Sequence, residues 1–168
     1  MTTAHLITPS RLDLPYLEYL DRPLFAETLT LLRCVRDHDF DTLSQLCDDD
    51  FGIVDVDPSG APVAIRTRVD WEAWFRGLFG TLSKMQAQTD SEVLNYAAVQ
   101  SDDLGYSVLD FRQTLTVTGL VASFECIATI VWKRTPEGWR EARWHASVIS
   151  SDVPDGLLPT SSAPATVG

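Results

Sequence analysis

The feature that most restricts this chain is the run from Gly138 to Ser150. There Ala142, Trp144, Ala146 and Val148 alternate with Glu141, Arg143, His145 and Ser147. A period of two is that of a strand, and it sends the apolar set to one face and the polar set to the other. A second such run, Ser123 to Lys133, precedes it, with Thr135-Pro136-Glu137-Gly138 as the turn between them. A fold for this sequence has to give a long two-faced sheet something to cover on one side.

The same pattern extends upstream. Strand-like runs occupy about 86–100, 104–117, 121–134 and 138–150, with further turns at Ser101-Asp102-Asp103 and Thr118-Gly119. Ahead of them the period changes. Pro23 suits a first helical turn, and Leu24, Phe25, Leu29, Leu32 and Val35 recur at helical spacing to about Asp37. Asp39 or Asp41 can cap a short second helix that buries Phe40, Leu43, Leu46 and Cys47. Phe51, Ile53 and Val54 start a strand, Asp57-Pro58-Ser59-Gly60 turns it, and Val63-Ala64-Ile65 return. Asp70 is the expected N-cap of a third helix from Trp71 to about Leu82, with Trp71, Trp74, Phe75, Leu78 and Phe79 on its apolar side. The order is helix, helix, hairpin, helix, then four long strands, which predicts an α+β domain with its helices on one face of an antiparallel sheet.

Three segments follow from this reading. Residues 1–23 form an irregular N-terminal extension, in which Leu12, Leu14, Tyr16, Leu17 and Leu20 can lie across a groove; 24–151 form the domain; 152–168, rich in Pro, Ser, Ala and Thr, form a flexible tail.

Pairing fixes the faces. A two-residue turn at Thr118-Gly119 sets Val117 opposite Leu120, Phe111 opposite Cys126 and Leu109 opposite Ala128. The inner face then collects Leu109, Phe111, Leu115, Phe124, Cys126, Ala128, Ile130, Trp132, Ala142, Trp144, Ala146 and Val148. Tyr106, Asp110, Arg112, Glu125, Thr129, Arg143, His145 and Ser147 fall on the outer face, with Arg112 opposite Glu125 as a cross-strand ion pair. A slip of one residue would point Asp110 and Arg112 inward and strand a carboxylate, so the first register is preferred.

Composition closes off several functions. The chain has 168 residues, 24 of them acidic and 13 basic, for a net charge of -11. That balance disfavours nucleic acid and anionic membranes, which both need a basic footprint. Cys34, Cys47 and Cys126 form neither a disulfide framework nor a zinc spacing, which fits a reducing cytoplasm. No signal peptide or spanning segment is expected. Asp48-Asp49-Asp50, Asp55 and Asp57 lack the spacing of a calcium loop and read as a solvated acidic loop, so no metal is expected. With no phosphate loop, glycine fingerprint or nucleophile elbow, no cofactor is expected either.

Three stretches resemble one known family. They are Asp39 to Cys47 with Asp49-Asp50-Phe51, then Asp70-Trp71-Glu72-Ala73-Trp74-Phe75, then Thr129 to Arg134 with Gly138-Trp139 and Trp144-His145-Ala146-Ser147. Over roughly residues 24–150 the chain resembles the nuclear transport factor 2-like superfamily, near its SnoaL-like branch. Its last hairpin is similar to that of the calcium/calmodulin-dependent kinase II association domain. The resemblance implies a cone, a strongly curved sheet wrapped on helices in the cystatin-like manner, with a pocket at the open end. It also implies a homodimer through the outer sheet face, with Arg112, Glu125, Arg143, His145 and Ser147 at the interface.

The family's members include isomerases, cyclases and dehydratases beside non-enzymatic modules, so fold does not settle function. The favoured expectation is a dimeric domain that binds a small hydrophobic molecule in a pocket of Trp74, Phe111, Phe124, Cys126, Ile130, Trp132 and Trp144; the tryptophans can equally fill that pocket. One alternative is an isomerase, cyclase or dehydratase with Asp110 as general base and Tyr96, Tyr106 or Gln113 polarising an oxygen. His145 is the other base by residue type, though parity sends it to the interface. His5 and His38 carry no spacing signal. A second alternative is an oligomerisation module with a vestigial pocket.

Overall fold

The computed structural model describes residues 9–56 and 61–157. His5, the turn at 57–60 and the tail beyond 157 lie outside the described residues. A short 3-10 turn at Arg11–Asp13 precedes α1 (Phe25–Asp37), α2 (Phe40–Leu46), β1 (Cys47–Val56), β2 (Pro62–Ile65) and α3 (Arg68–Lys84). Four long strands follow: β3 (Gln88–Gln100), β4 (Leu104–Val117), β5 (Leu120–Thr135) and β6 (Gly138–Asp152). The strands form one six-stranded sheet in the order β2-β1-β6-β5-β4-β3, which with the helices is the expected α+β arrangement.

One pair departs from the antiparallel expectation, because β1 runs parallel to β6. The other neighbours are consecutive in the chain with short connections, and all of them pair antiparallel. β2, α3 and three long strands separate β1 from β6 in the chain, so no turn dictates their sense.

Helix ends follow side-chain chemistry. Asp39 caps α2 by accepting the Thr42 N–H through Oδ1 at 3.1 Å. α3 begins earlier than expected, because Thr67 is the cap: its Oγ1 accepts the Asp70 N–H and donates to Asp70 Oδ2 at 2.7 Å. Asp70 is therefore the inner half of a reciprocal cap.

The β4–β5 register is the expected one, with Phe111 opposite Cys126, Leu109 opposite Ala128 and Val117 opposite Leu120. Arg112 reaches Glu125 at 2.9 Å and Glu92 at 3.2 Å across the outer face. The β5–β6 pairing is less regular. Val148, Ala146 and Trp144 face inward opposite Cys126, Ala128 and Ile130, but the register shifts between Val131 and Trp132. Arg143 lies opposite Val131 and Glu141 opposite Trp132, leaving Ala142 as the extra residue of a bulge. The bulge reverses parity beyond it. Glu141, expected on the polar face, therefore turns inward and is 3% exposed.

The N-terminal segment packs as a strap. Leu12, Tyr16 and Tyr19 are buried, and Ser10 Oγ donates to Asp90 Oδ1 at 2.6 Å. Tyr16 Oη accepts the Val93 N–H at 3.0 Å, beside a β3 bulge, and donates to the Arg11 carbonyl. Beyond β6, Leu157 is also buried in the core.

At one end the core is closed. Trp132, Ile130, Thr28 and Ser107 are fully buried, and Trp132 Nε1 donates to Ser107 Oγ at 3.0 Å. Ser107→Ala leaves that indole N–H without its acceptor in a dry core. The expected cost is about 1–3 kcal/mol, read from the urea midpoint of unfolding.

Candidate functional site

A cavity of about 420 Å³ lies between the helices and the inner sheet face. Leu31, Leu32 and Val35 of α1, Leu43 of α2, and Trp74, Phe75, Leu78 and Leu82 of α3 form its helical wall. Phe111 and Leu115 of β4, Phe124 and Cys126 of β5, and Trp144 and Val148 of β6 form the sheet wall. The helical wall arises because α1 and α3 each carry an apolar stripe at helical spacing. The sheet wall arises from period two along β4, β5 and β6.

Few polar groups enter this lining: Asp55, Thr89, Gln113, Glu141 and Ser151. No lysine, arginine or histidine is among the described residues that line it. Glu141 is the most unusual. Its Oε2 accepts a hydrogen bond from Cys47 Sγ at 3.2 Å. Burial pushes its pKa up to about 8; the Cys47 hydrogen bond opposes the shift and the charge of Asp55 adds to it. The carboxyl therefore keeps its proton at neutral pH. Burial also pushes the Cys47 thiol up, so it remains a donor.

Asp55 sits on the same parity of β1 as Phe51 and Ile53, and its Oδ2 accepts the Trp144 Nε1–H at 2.8 Å. Ser91 Oγ donates to Gln113 Oε1 at 2.7 Å, which leaves the Gln113 amino group as the end available to a ligand. Cys126 is a thiol whose pKa burial raises to about 11, the charge of Asp55 adding to it. The chemistry on offer is therefore proton donation and acceptance by two carboxyl groups and hydrogen bonding by one amide, inside an apolar enclosure.

Of the residues expected at a pocket, Trp74, Phe111, Phe124, Cys126 and Trp144 line this cavity. Ile130 and Trp132 do not; they are fully buried in the closed core. Asp110 lies on the outer face opposite Ile127, where Asn95 Nδ2 donates to it at 3.4 Å, and the sheet separates it from the cavity. His145 and Tyr106 are exposed on that same face, opposite Thr129 and Val131. Tyr96 is buried but donates its hydroxyl to the Pro23 carbonyl at 2.7 Å and does not line the cavity. Arg112, Glu125, Arg143, His145 and Ser147 all reach the outer face, Arg143 also binding Asp50 at 3.3 Å. His38 stacks on Phe79 at 5.1 Å between ring centroids.

Sequence reasoning missed both carboxyl groups. Asp55 shares its parity with Phe51 and Ile53, a signal that its acidic neighbours mask. Glu141 was not legible, because nothing in the alternation announces the bulge. No group of three or more histidine, cysteine, aspartate or glutamate side chains able to hold a metal occurs among the described residues.

The raised pKa has a sign. Between the ordinary carboxyl value near 4.5 and about 8, the folded state holds one proton more than the unfolded state. Stability contributed by the neutral acid is complete below the lower value and is lost as pH rises through the upper one. Urea unfolding from pH 5 to pH 9 should lose up to about 1.4 kcal/mol per pH unit from this group. Glu141→Gln should flatten that slope, and an unchanged slope would contradict the assignment.

The model of the SnoaL-like domain family matches residues 29–151. Three solved structures illustrate what the fold resembles. One is a nuclear transport factor 2-like protein with a cystatin-like fold from Novosphingobium aromaticivorans (TM-score 0.59, 18% identity, 77% of this chain and 79% of that one). Another is a hexachlorocyclohexane dehydrochlorinase (TM-score 0.58, 13% identity, 82% and 88%). The third is the association domain of calcium/calmodulin-dependent kinase II from C. elegans (TM-score 0.56, 18% identity, 73% and 90%). At these identities the likeness is one of fold. No curated protein matches the chain in sequence.

Proposed function

We propose, from the premise that this chain belongs to the SnoaL-like domain family, that it binds a small, largely hydrophobic molecule in the cavity between its helices and sheet. The observation that carries this reading is an apolar cavity of about 420 Å³ with few polar groups in its lining, one of them the buried acid Glu141. That volume is within the range of small-molecule sites, roughly 300–1,000 Å³. The neutral fluorophore N-phenyl-1-naphthylamine should bind with enhanced emission and quench Trp74 and Trp144. Leu78→Trp, which fills the lining, should weaken binding by about tenfold or more. Equal binding by the filled variant would place the probe elsewhere.

Glu141 favours a second reading, catalysis by proton transfer. A neutral carboxylic acid beside a second carboxyl group can protonate a carbonyl or leaving oxygen while Asp55 takes a proton from carbon. That is chemistry of the isomerase, dehydratase or cyclase kind, with Asp55 and Glu141 in the roles sought for Asp110. In a screen of cyclic ketones and β-hydroxy ketones, Glu141→Gln should lower turnover by about 10²–10⁴-fold while leaving a folded protein. Undiminished turnover in that variant would remove Glu141 from the chemistry.

The outer sheet face supports a homodimer. Val99, Tyr106, Val131 and Arg143 form one cross-strand row, and Val108, Thr129, His145 and Val54 the next. Val54, Val99 and Tyr106 are about half exposed at 47%, 51% and 46%, an apolar patch with a polar rim. Sedimentation velocity should show a dimer, and Ile127→Asp, placed among these rows beside Asp110, should yield a monomer. A wild type that is monomeric at every concentration would refute the interface. No described helix is long and apolar enough to cross a membrane; a cytoplasmic site of action is the reading that three free thiols support.

A further inference from the structure

We propose that the molecule held in this cavity carries a basic nitrogen, positively charged at neutral pH, which docks against Glu141 and Asp55 while its apolar body lies among the aromatic rings. This deepens the pocket reading above and rests on it.

The argument begins with what surrounds Glu141. From β1 it meets Cys47 and Asp55; from β5, Cys126 lines the same cavity. Of the cations nearby, Arg140 turns to Glu137 at 3.9 Å and Arg143 to Asp50 at 3.3 Å, and Arg68 of α3 acts on Cys47. The Arg68 guanidinium is committed to the Ser44 carbonyl at 2.8 Å, the Cys47 carbonyl at 3.2 Å and Glu72 at 3.1 Å. The charge that shifts Glu141 beside its burial is the negative one of Asp55. A buried carboxyl has three ways to exist: protonated, paired with a cation, or bound to a metal. The described residues supply neither a cation in the lining nor a metal cluster. The empty site therefore rests on the proton, and an entering cation can replace it.

The rest of the lining suits such a guest. Trp74, Phe75, Phe111, Phe124 and Trp144 present ring faces or edges to the same space, and ring faces attract cations, most strongly when desolvated. The chain's net charge of -11 favours entry of a cation and opposes an anion. A carboxylate ligand would face two acids and no base. The exchange balances: one ammonium ligand enters, Glu141 gives up one proton to solvent, and a neutral guest releases none.

Three isosteric probes on one skeleton test this: 4-phenylbutylamine, 4-phenylbutan-1-ol and 4-phenylbutyrate. Each is titrated calorimetrically into the full chain at pH 7, in phosphate and again in Tris, whose different ionisation heats report proton transfer. The amine is expected to bind at least about tenfold more tightly than the alcohol. It should release close to one proton, and the carboxylate should bind more weakly than both. Glu141→Gln should bring the amine to the alcohol's affinity and abolish the proton release. If the alcohol binds as well as the amine, or the amine binds with no proton released, the inference is overturned while the pocket reading stands. If none of the three binds, the pocket reading falls and this inference with it. Should Glu141→Gln fail to fold, the wild-type series decides alone.

Discussion

The β5–β6 ladder is the constraint on which the remainder of the molecule depends. It joins the two strands at the centre of the sheet, and β1 and β4 pair with its outer edges. Its register is interrupted twice, between Glu125 and Cys126 and between Val131 and Trp132. Each interruption bends the strand and increases its twist. A bent central ladder lets the inner face wrap the helices rather than lie flat beneath them. The first stretch after the bulge at Ala142 keeps Trp144, Ala146 and Val148 facing the helices; the stretch before it sends Glu141 into the same space.

That arrangement creates an electrostatic problem and a site together. An acid placed in an apolar wall is costly when ionised. Here its neighbours are a thiol that donates to it and a second carboxyl that repels its charge. Burial and the second carboxyl keep the proton in place, and the one thiol donor only partly offsets them. A filled core would carry leucine or glutamine at such a position with less cost. The buried acid and the volume beside it are what the proposed ligand reading rests on.

The closed end shows the opposite solution with similar materials. Trp132, Ser107 and Thr28 are polar or partly polar and fully buried, yet each finds a partner within the protein. Trp132 is therefore part of the packed core, while Trp74 and Trp144 line the cavity. The strap through Tyr16 and Asp90 ties the N-terminal residues to β3 by side-chain bonds to backbone and hydroxyl groups. It adds apolar cover over α1, where Tyr16 and Tyr19 pack on Phe25.

Sequence alone determined the element order, the β4–β5 register and the identity of most inner-face residues. These follow from local turn chemistry and from period two, and both act over a few residues. Trp74, Phe111, Phe124 and Trp144 were readable as inward for that reason. The direction of β1 beside β6, the fully packed fate of Trp132 and Ile130, and the inward turn of Glu141 were decided only by tertiary structure. Each depends on strands that meet from distant parts of the chain, where a single extra residue at Ala142 reverses a face without leaving any mark in the alternation that precedes or follows it.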